Sequence, residues 1–300
     1  MKSTLCTFAS CLLILFVIPA CNKADKTDPD AVDTGNESGN ETNLTNTTST
    51  QCPNAPSYGD SILYLQPVKG NYTVEPVNNK GVQGTYLSWP EGLDINATTG
   101  LINITQSETG IRYNVAFVKK GTTDTCISTL ILGGVSYIDS IYVLSKNDTL
   151  AAPIFNANPN ASPVCDGSDD TDYPDNGNHN GNNKCQFDDD TTSQGANAQK
   201  LRVRTVSGII NLKKSLDDGL LGKNPRNGHF KKVKIEYRLN DNSKKADQKI
   251  TVQVMYYDKV SSIPNDLKQD VASKRKNAFT YKIIAEKPRP PLLIIAGLAN

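Results

Sequence analysis

Histidine is scarce in this chain, and the common catalytic motifs are missing from it. The 300 residues include two histidines, His179 in a polar stretch and His229 in the turn RNGHF. A histidine base for a serine or cysteine nucleophile is therefore not predicted. The sequence also lacks a Gly-x-Ser-x-Gly elbow, a Walker loop, a His-Glu-x-x-His motif and a paired-cysteine zinc site. We expect a non-catalytic protein, although these absences do not exclude a glycan-active enzyme, which needs only two carboxylates.

The amino-terminal apolar run is too short for a permanent membrane span, which takes about 20 residues. This run occupies residues 12–18, after the charged start Met1-Lys2 and before the small-residue site Pro19-Ala20-Cys21. Such an arrangement is typical of an export signal rather than of a fold element. We therefore assign residues 1–20 to a signal peptide.

Residues 18–21, which read Ile-Pro-Ala-Cys, resemble the lipobox of bacterial lipoproteins. In that family an aliphatic residue and two further residues, the second of them small, precede a cysteine that becomes acylated. The resemblance implies cleavage before Cys21, a lipid such as palmitate on its sulfur, and a membrane-tethered protein facing an oxidising space. We expect a location in the cell envelope, with the outer membrane of a Gram-negative bacterium favoured. Residues 21–51, nearly free of large apolar side chains, are then a disordered stalk.

Seven cysteines are an odd count for an exported chain. Removing Cys6 and Cys11 with the signal peptide, and Cys21 as the lipid carrier, leaves four: Cys52, Cys126, Cys165 and Cys185. Three pairings of these four are open. We favour Cys52 with Cys126 and Cys165 with Cys185, because each bond then stays within one compositional unit.

Residues 52–145 show the alternation of apolar and polar side chains that is typical of a series of short β-strands. The predicted strands are separated by Gly, Pro, Asn or Asp turns and cover residues 61–66, 72–77, 85–89, 101–105, 111–119, 126–132 and 137–144. A turn about every ten residues is typical of an all-β sandwich. Within this region the chain resembles immunoglobulin-like and cadherin-like repeats of bacterial surface proteins. The matching residues are Pro90, Gly92, Leu93, Thr99, Gly100, Leu101, Ile102, Gly110, Tyr113 and Val115. The resemblance covers about thirty residues and implies an immunoglobulin-like fold, but no ligand.

Residues 146–198 form an acidic linker rich in Asn, Asp and Gly. Five carboxylates crowd into ten residues of it and could supply oxygen ligands to calcium; they are Asp166, Asp169, Asp170, Asp172 and Asp175. Their spacing does not fit the Asp-x-Asp-x-Asp-Gly calcium loop with a closing Glu. A solvated linker is the favoured interpretation, and no other cofactor is predicted.

Residues 199–300 change to an α+β pattern. Strands are predicted at 201–206, 230–239, 249–257 and 279–285, with helices at 209–221 and 262–277. This β-α-β-β-α-β order is similar to a ferredoxin-like fold, with four antiparallel strands and both helices on one face. The tail PRPPLLIIAGLAN falls outside that plan, as an edge strand or an extended tail.

Acidic and basic residues are unevenly distributed along the chain, although the net charge is only +1. Residues 21–195 contain 9 basic and 22 acidic side chains, whereas residues 196–300 contain 22 basic and 9 acidic ones. Alternation along the strand at 230–239 places Lys232, Lys234, Glu236 and Arg238 on one face and Val233, Ile235, Tyr237 and Leu239 on the other. We expect Arg202, Arg204, Tyr257 and Lys282 to join the cationic face. The asymmetry points to a polyanionic partner or to self-association.

Two functions follow from these patterns. The first is a non-catalytic cell-surface or periplasm-facing lipoprotein that serves in adhesion or binds an acidic glycan, another polyanion or an envelope partner. The alternative is a structural accessory subunit of an envelope complex, in which the sandwich is a spacer. Intracellular nucleic acid is not an expected partner, and a charged solvent face without any ligand is the simplest explanation of the cations.

Overall fold

The computed structural model describes residues 52–165, 173–174, 185–188, 194–284 and 289–299. All of them belong to one unit, Asn40–Asn300. The predictions for the signal peptide, for Cys21 and for the stalk lie outside the described residues. Within the described part of the chain, no helix is long and apolar enough to cross a membrane.

The amino-terminal half of the described chain is built from strands alone. Its strands are β1 (Ile62–Leu63), β2 (Thr73–Val74), β3 (Gly84–Trp89), β4 (Ile102–Asn103), β5 (Ile111–Lys119) and β6 (Thr125–Leu132). They form a four-stranded sheet in the order β1-β6-β5-β3 and a two-stranded sheet of β2 and β4. Side chains of both sheets, among them Ile102, Tyr113, Val115 and Leu132, share one buried core. The prediction that this region is all-β is confirmed.

The residues that carry the repeat resemblance lie in this core and in the turns beside it. Leu93, Ile102, Tyr113 and Val115 are buried. Gly100 has a φ of +74°, and a Cβ there would stand 2.6 Å from the ring of Tyr86. Only glycine combines this left-handed backbone with so close an approach.

The second half of the described chain mixes strands with two α-helices and two short 3-10 helices, Leu144–Lys146 and Val260–Ser262. Its elements are β7 (Val135–Tyr137), β8 (Ser140–Val143), β9 (Leu150–Ala151), β10 (Pro153–Phe155), β11 (Gln186–Phe187), β12 (Ile210–Asn211), α1 (Leu212–Asp217), β13 (Phe230–Arg238), β14 (Gln248–Lys259), α2 (Asn265–Phe279) and β15 (Leu292–Leu298). Five of the strands form one sheet, in the order β11-β13-β14-β15-β8. The strand pairs β10-β7 and β12-β9 form two small antiparallel sheets of their own.

The carboxy-terminal tail is an interior strand of this five-stranded sheet, neither an edge strand nor an extended tail. β15 pairs in parallel with β14 on one side and with β8 on the other. Its residues 292–296 are buried, which suits the continuous run Leu-Leu-Ile-Ile-Ala. The strand β8 lies within the predicted sandwich region in sequence, yet it pairs in the second sheet.

The ferredoxin-like arrangement predicted for residues 199–300 is wrong. β12 pairs with β9 outside the five-stranded sheet, and β14 and β15 run parallel. The helices also lie against opposite faces, because Leu212 of α1 packs in the core with Val233 whereas Val271 of α2 packs with Ile294. The predicted strand at 279–285 does not form in its described part, since α2 extends to Phe279. The periodicity of apolar residues predicted most of the strands and helices, but it did not predict which strands the apolar tail would pair with.

The four cysteines that the structure describes lie in two pairs. Cys165 and Cys185 form a disulfide, as predicted, with their Cα atoms 5.6 Å apart. Cys52 and Cys126 are adjacent buried thiols, and burial together with the Cys52 side chain raises the pKa of the Cys126 thiol to about 11. Their pairing as a second disulfide stays a prediction.

Candidate functional site

The cationic face predicted on β13 is present in the structure. Val233, Ile235 and Tyr237 are buried on one side of the strand, while Lys232 and Lys234 are exposed on the other. The neighbouring strand continues this face, because β14 places Gln253, Thr251 and Lys249 opposite Lys232, Lys234 and Glu236. Helix α2 covers the far part of the same sheet face, toward β15 and β8. In the part near β13, the described side chains of Lys232 and Lys234 are exposed.

A cleft of about 1100 Å³ opens beside this charged face. Its walls are the loop 104–112 before and at the start of β5, residues 136–139 from the end of β7 to the start of β8, the facing ends of β13 and β14, the end of α2, and the approach to β15. Seven cationic side chains and four carboxylates line the cleft together with aliphatic residues. The cleft therefore carries an excess of positive charge.

Several charges of the cleft are held in fixed positions. Lys234 Nζ lies 2.6 Å from Glu236 Oε1, and Arg238 Nε lies 2.5 Å from Asp247 Oδ1. The guanidinium of Arg112, on β5, stacks 4.7 Å from the ring centre of Tyr281, which follows α2. The Tyr281 hydroxyl donates a 2.6 Å hydrogen bond to Asn158 Oδ1. This stack joins β5 of the amino-terminal sheet to the segment that follows α2, within the lining of the cleft.

Arg289 fixes the cleft wall at the approach to β15. Its Nη2 lies 2.6 Å from Asp270 Oδ2 on α2 and also pairs with Asp139. Asp139 accepts a 2.9 Å hydrogen bond from the Leu292 N–H. Burial raises the pKa of Asp139, and the Arg289 charge acts against that rise.

Tyr237 joins the two halves of the described chain at the back of the cleft. Its hydroxyl accepts a hydrogen bond from the Val135 N–H at 3.1 Å and lies 3.2 Å from Thr109 Oγ1. It donates to Gln248 Oε1 at 3.3 Å. Burial raises the pKa of Tyr237 to about 12. Gly134 passes so close that a Cβ on it would lie 2.8 Å from this hydroxyl oxygen.

The structure brings together only part of the predicted polyanion site. Lys234, Arg238 and Lys282 line the cleft, and Lys232 lies on the same sheet face. Tyr257 is on that face too, but it is buried beneath α2 in a core with Val271.

The two predicted arginines lie elsewhere. Arg202 is 8% exposed, and its Nε lies 2.5 Å from Asp218 Oδ2 at the end of α1. The Arg202 hydrogen bond lowers the pKa of Asp218. Arg204 is partly buried and contacts Tyr173 at 3.4 Å. These arginines were expected on the sheet because a strand was predicted at 201–206, whereas the structure forms only an isolated bridge between Val203 and Ile210.

Four cations of the cleft were missed by the sequence reasoning. They are Arg112, Lys249, Lys274 and Arg289. Strand alternation could have predicted Lys249, because this residue lies opposite Glu236 on the adjacent strand. The other three come from β5, α2 and the approach to β15, which are distant in sequence and are brought together only by the tertiary structure.

The calcium prediction concerns residues that the structure does not describe. Asp166, Asp169, Asp170, Asp172 and Asp175 all lie outside the described ranges. Among the residues that are described, no group of three or more His, Cys, Asp or Glu side chains could hold a metal ion.

Comparisons with known proteins add little to this description. No protein-family model matches the chain, and no curated protein matches it. Among solved structures the chain is similar to two crystal forms of human protocadherin-24 EC1-2, at 8% identity and a TM-score of 0.20. These alignments cover 67% of this chain and 96% or 97% of the protocadherin chains.

Proposed function

We propose that this chain is a non-catalytic surface protein that binds a polyanion, such as an acidic glycan, in the cleft beside β13 and β14. The observation that carries the proposal is the excess of cations over carboxylates in the cleft, seven against four. A concave surface of one sign concentrates ligands of the opposite sign and speeds their association. The immunoglobulin-like identity of the β-sandwich is part of this proposal, with the sandwich supplying one wall of the site.

Retention of the mature chain on immobilised heparin and polygalacturonate tests the proposal. The site variant is Lys234→Glu, Lys249→Glu and Lys282→Glu, all within the cleft lining. The control reverses the charge of three exposed lysines outside the cleft, with the substitutions Lys69→Glu, Lys146→Glu and Lys213→Glu. Its net charge therefore changes by the same amount as that of the site variant. We expect about a tenfold or greater loss of affinity in the site variant alone, since each exposed ion pair contributes ~0.5–1 kcal/mol. Equal retention of the two variants would contradict a site in the cleft.

The same retention should depend on salt. Exposed ion pairs are screened over about 10 Å at 0.1 M ionic strength. Binding of the unmodified chain should therefore weaken steadily as salt is added. A stoichiometric envelope protein captured from extracts without any glycan would instead favour the accessory-subunit alternative.

The lipid anchor is a separate part of the proposal. It rests on the resemblance of residues 18–21 to a lipobox and on the short apolar run before them. Cys21 then holds the protein at the outer membrane, and the stalk holds the cleft away from the bilayer. Labelled palmitate should enter the unmodified chain but not a Cys21→Ala variant. An intact amino terminus beginning at Met1 would disprove cleavage and acylation.

A further inference from the structure

The lining of the cleft includes aliphatic side chains that would make no favourable contact with a glycan. Eight Leu and Ile side chains line it, and four of them are half-buried without belonging to the three hydrophobic cores of the described chain. These four are Ile138, Ile154, Ile283 and Ile284. Sugar hydroxyls placed against such a surface would lose hydrogen bonds to water and gain none. A ligand with a hydrocarbon part would remove this apolar surface from water.

The polar groups of the cleft complement an anionic head on such a ligand. Arg112, Lys249 and Lys282 come from three separate elements and line the same cavity.

We propose that the cleft binds an amphiphilic anion, a molecule with an alkyl or acyl chain and a phosphate or carboxylate head. The hydrocarbon lies against the four isoleucines, and the head lies among the cations of Arg112, Lys249 and Lys282. The volume of about 1100 Å³ is at the upper end for a small-molecule site and accommodates a long chain. This inference rests on the proposed function, because it uses the same cleft as the anion site.

Calorimetry on the mature chain tests the inference with three probes of one head group. The probes are inorganic phosphate, butyl phosphate and dodecyl phosphate, each below its micelle concentration. We expect dodecyl phosphate to bind at least a hundredfold more tightly than butyl phosphate, because eight further methylene groups leave water. Equal affinity for the three probes would overturn the inference and identify a simple anion site.

A pair of matched variants separates this inference from the polyanion proposal. The cleft variant Ile283→Asn with Ile284→Asn should lose the preference for the long chain while it keeps its retention on heparin. The control Val68→Asn with Val77→Asn changes two exposed apolar residues, 49% and 58% accessible, outside the cleft lining. It should bind like the unmodified chain.

The outcomes of these measurements are distinguishable. Retention on heparin without a chain-length preference supports the polyanion proposal and refutes the amphiphile. A chain-length preference that is unchanged in the isoleucine variant also refutes it, because the alkyl chain then binds elsewhere. Absence of binding to every anionic probe refutes both proposals.

Discussion

At the scale of single residues, the hydroxyl of Tyr237 connects distant parts of the chain at the cleft. It contacts Val135, Thr109 and Gln248, which come from three separate segments. Because Tyr237 is only 1% exposed, water does not replace these contacts when they are lost. The buried Val135 N–H would then have no acceptor.

The variant Tyr237→Phe should therefore lower the free energy of unfolding by about 1–3 kcal/mol. Urea unfolding at neutral pH measures this change. Tyr281→Phe is the matched control, because its hydroxyl also donates to a side chain but the residue is 37% exposed. The control should cost less than about 1 kcal/mol. A Tyr237→Phe variant as stable as the control would show that the hydroxyl does not join the two halves.

At the scale of elements, local sequence patterns correctly predicted which side chains of a single strand or helix are buried and which are exposed. The alternation along β13 correctly separated Val233 and Ile235 from Lys232 and Lys234, because a strand with one buried face must alternate. The same reasoning found the strands of the sandwich and the helix α2. It failed at 201–206, where Arg202 is buried against Asp218 by tertiary packing that no local pattern encodes.

The site was less predictable than the strands. Lys234 and Arg238 were found because they share a strand face, whereas Arg112 and Arg289 are about 180 residues apart in sequence and meet at one cavity. Their meeting depends on β15 lying between β14 and β8. An apolar run of seven residues predicts a buried strand but does not select its neighbours.

At the scale of the whole molecule, β15 holds β8, which follows the amino-terminal sheet along the chain, in the five-stranded sheet. Leu293 is fully buried in β15, opposite Ser140 of β8 and Val254 of β14. Leu293→Ala should lower the free energy of unfolding by about 2–5 kcal/mol, because it leaves a cavity in a packed core. Trp89, the single tryptophan, lies in β3 of the other sheet and reports on that sheet by fluorescence.

The two halves should unfold in one transition. We expect the Leu293→Ala variant to shift the Trp89 fluorescence midpoint and the far-ultraviolet circular dichroism midpoint by the same amount. Leu87→Ala, at a residue of β3 that is 46% exposed, is the control and should shift neither by much. A Trp89 transition that is unaffected by Leu293→Ala would mean that the sheets unfold independently.

The parallel strand pairs also determine how the chain resists tension. β1 runs parallel to β6, and β8 runs parallel to β15. A pull between residue 52 and residue 298 would draw the strands of each pair in opposite directions along their length. The hydrogen bonds of a pair then bear the load together and break at once, whereas an antiparallel hairpin pulled from its open end would unzip bond by bond. Both parallel pairs are thus loaded in shear when the chain is stretched between these two residues.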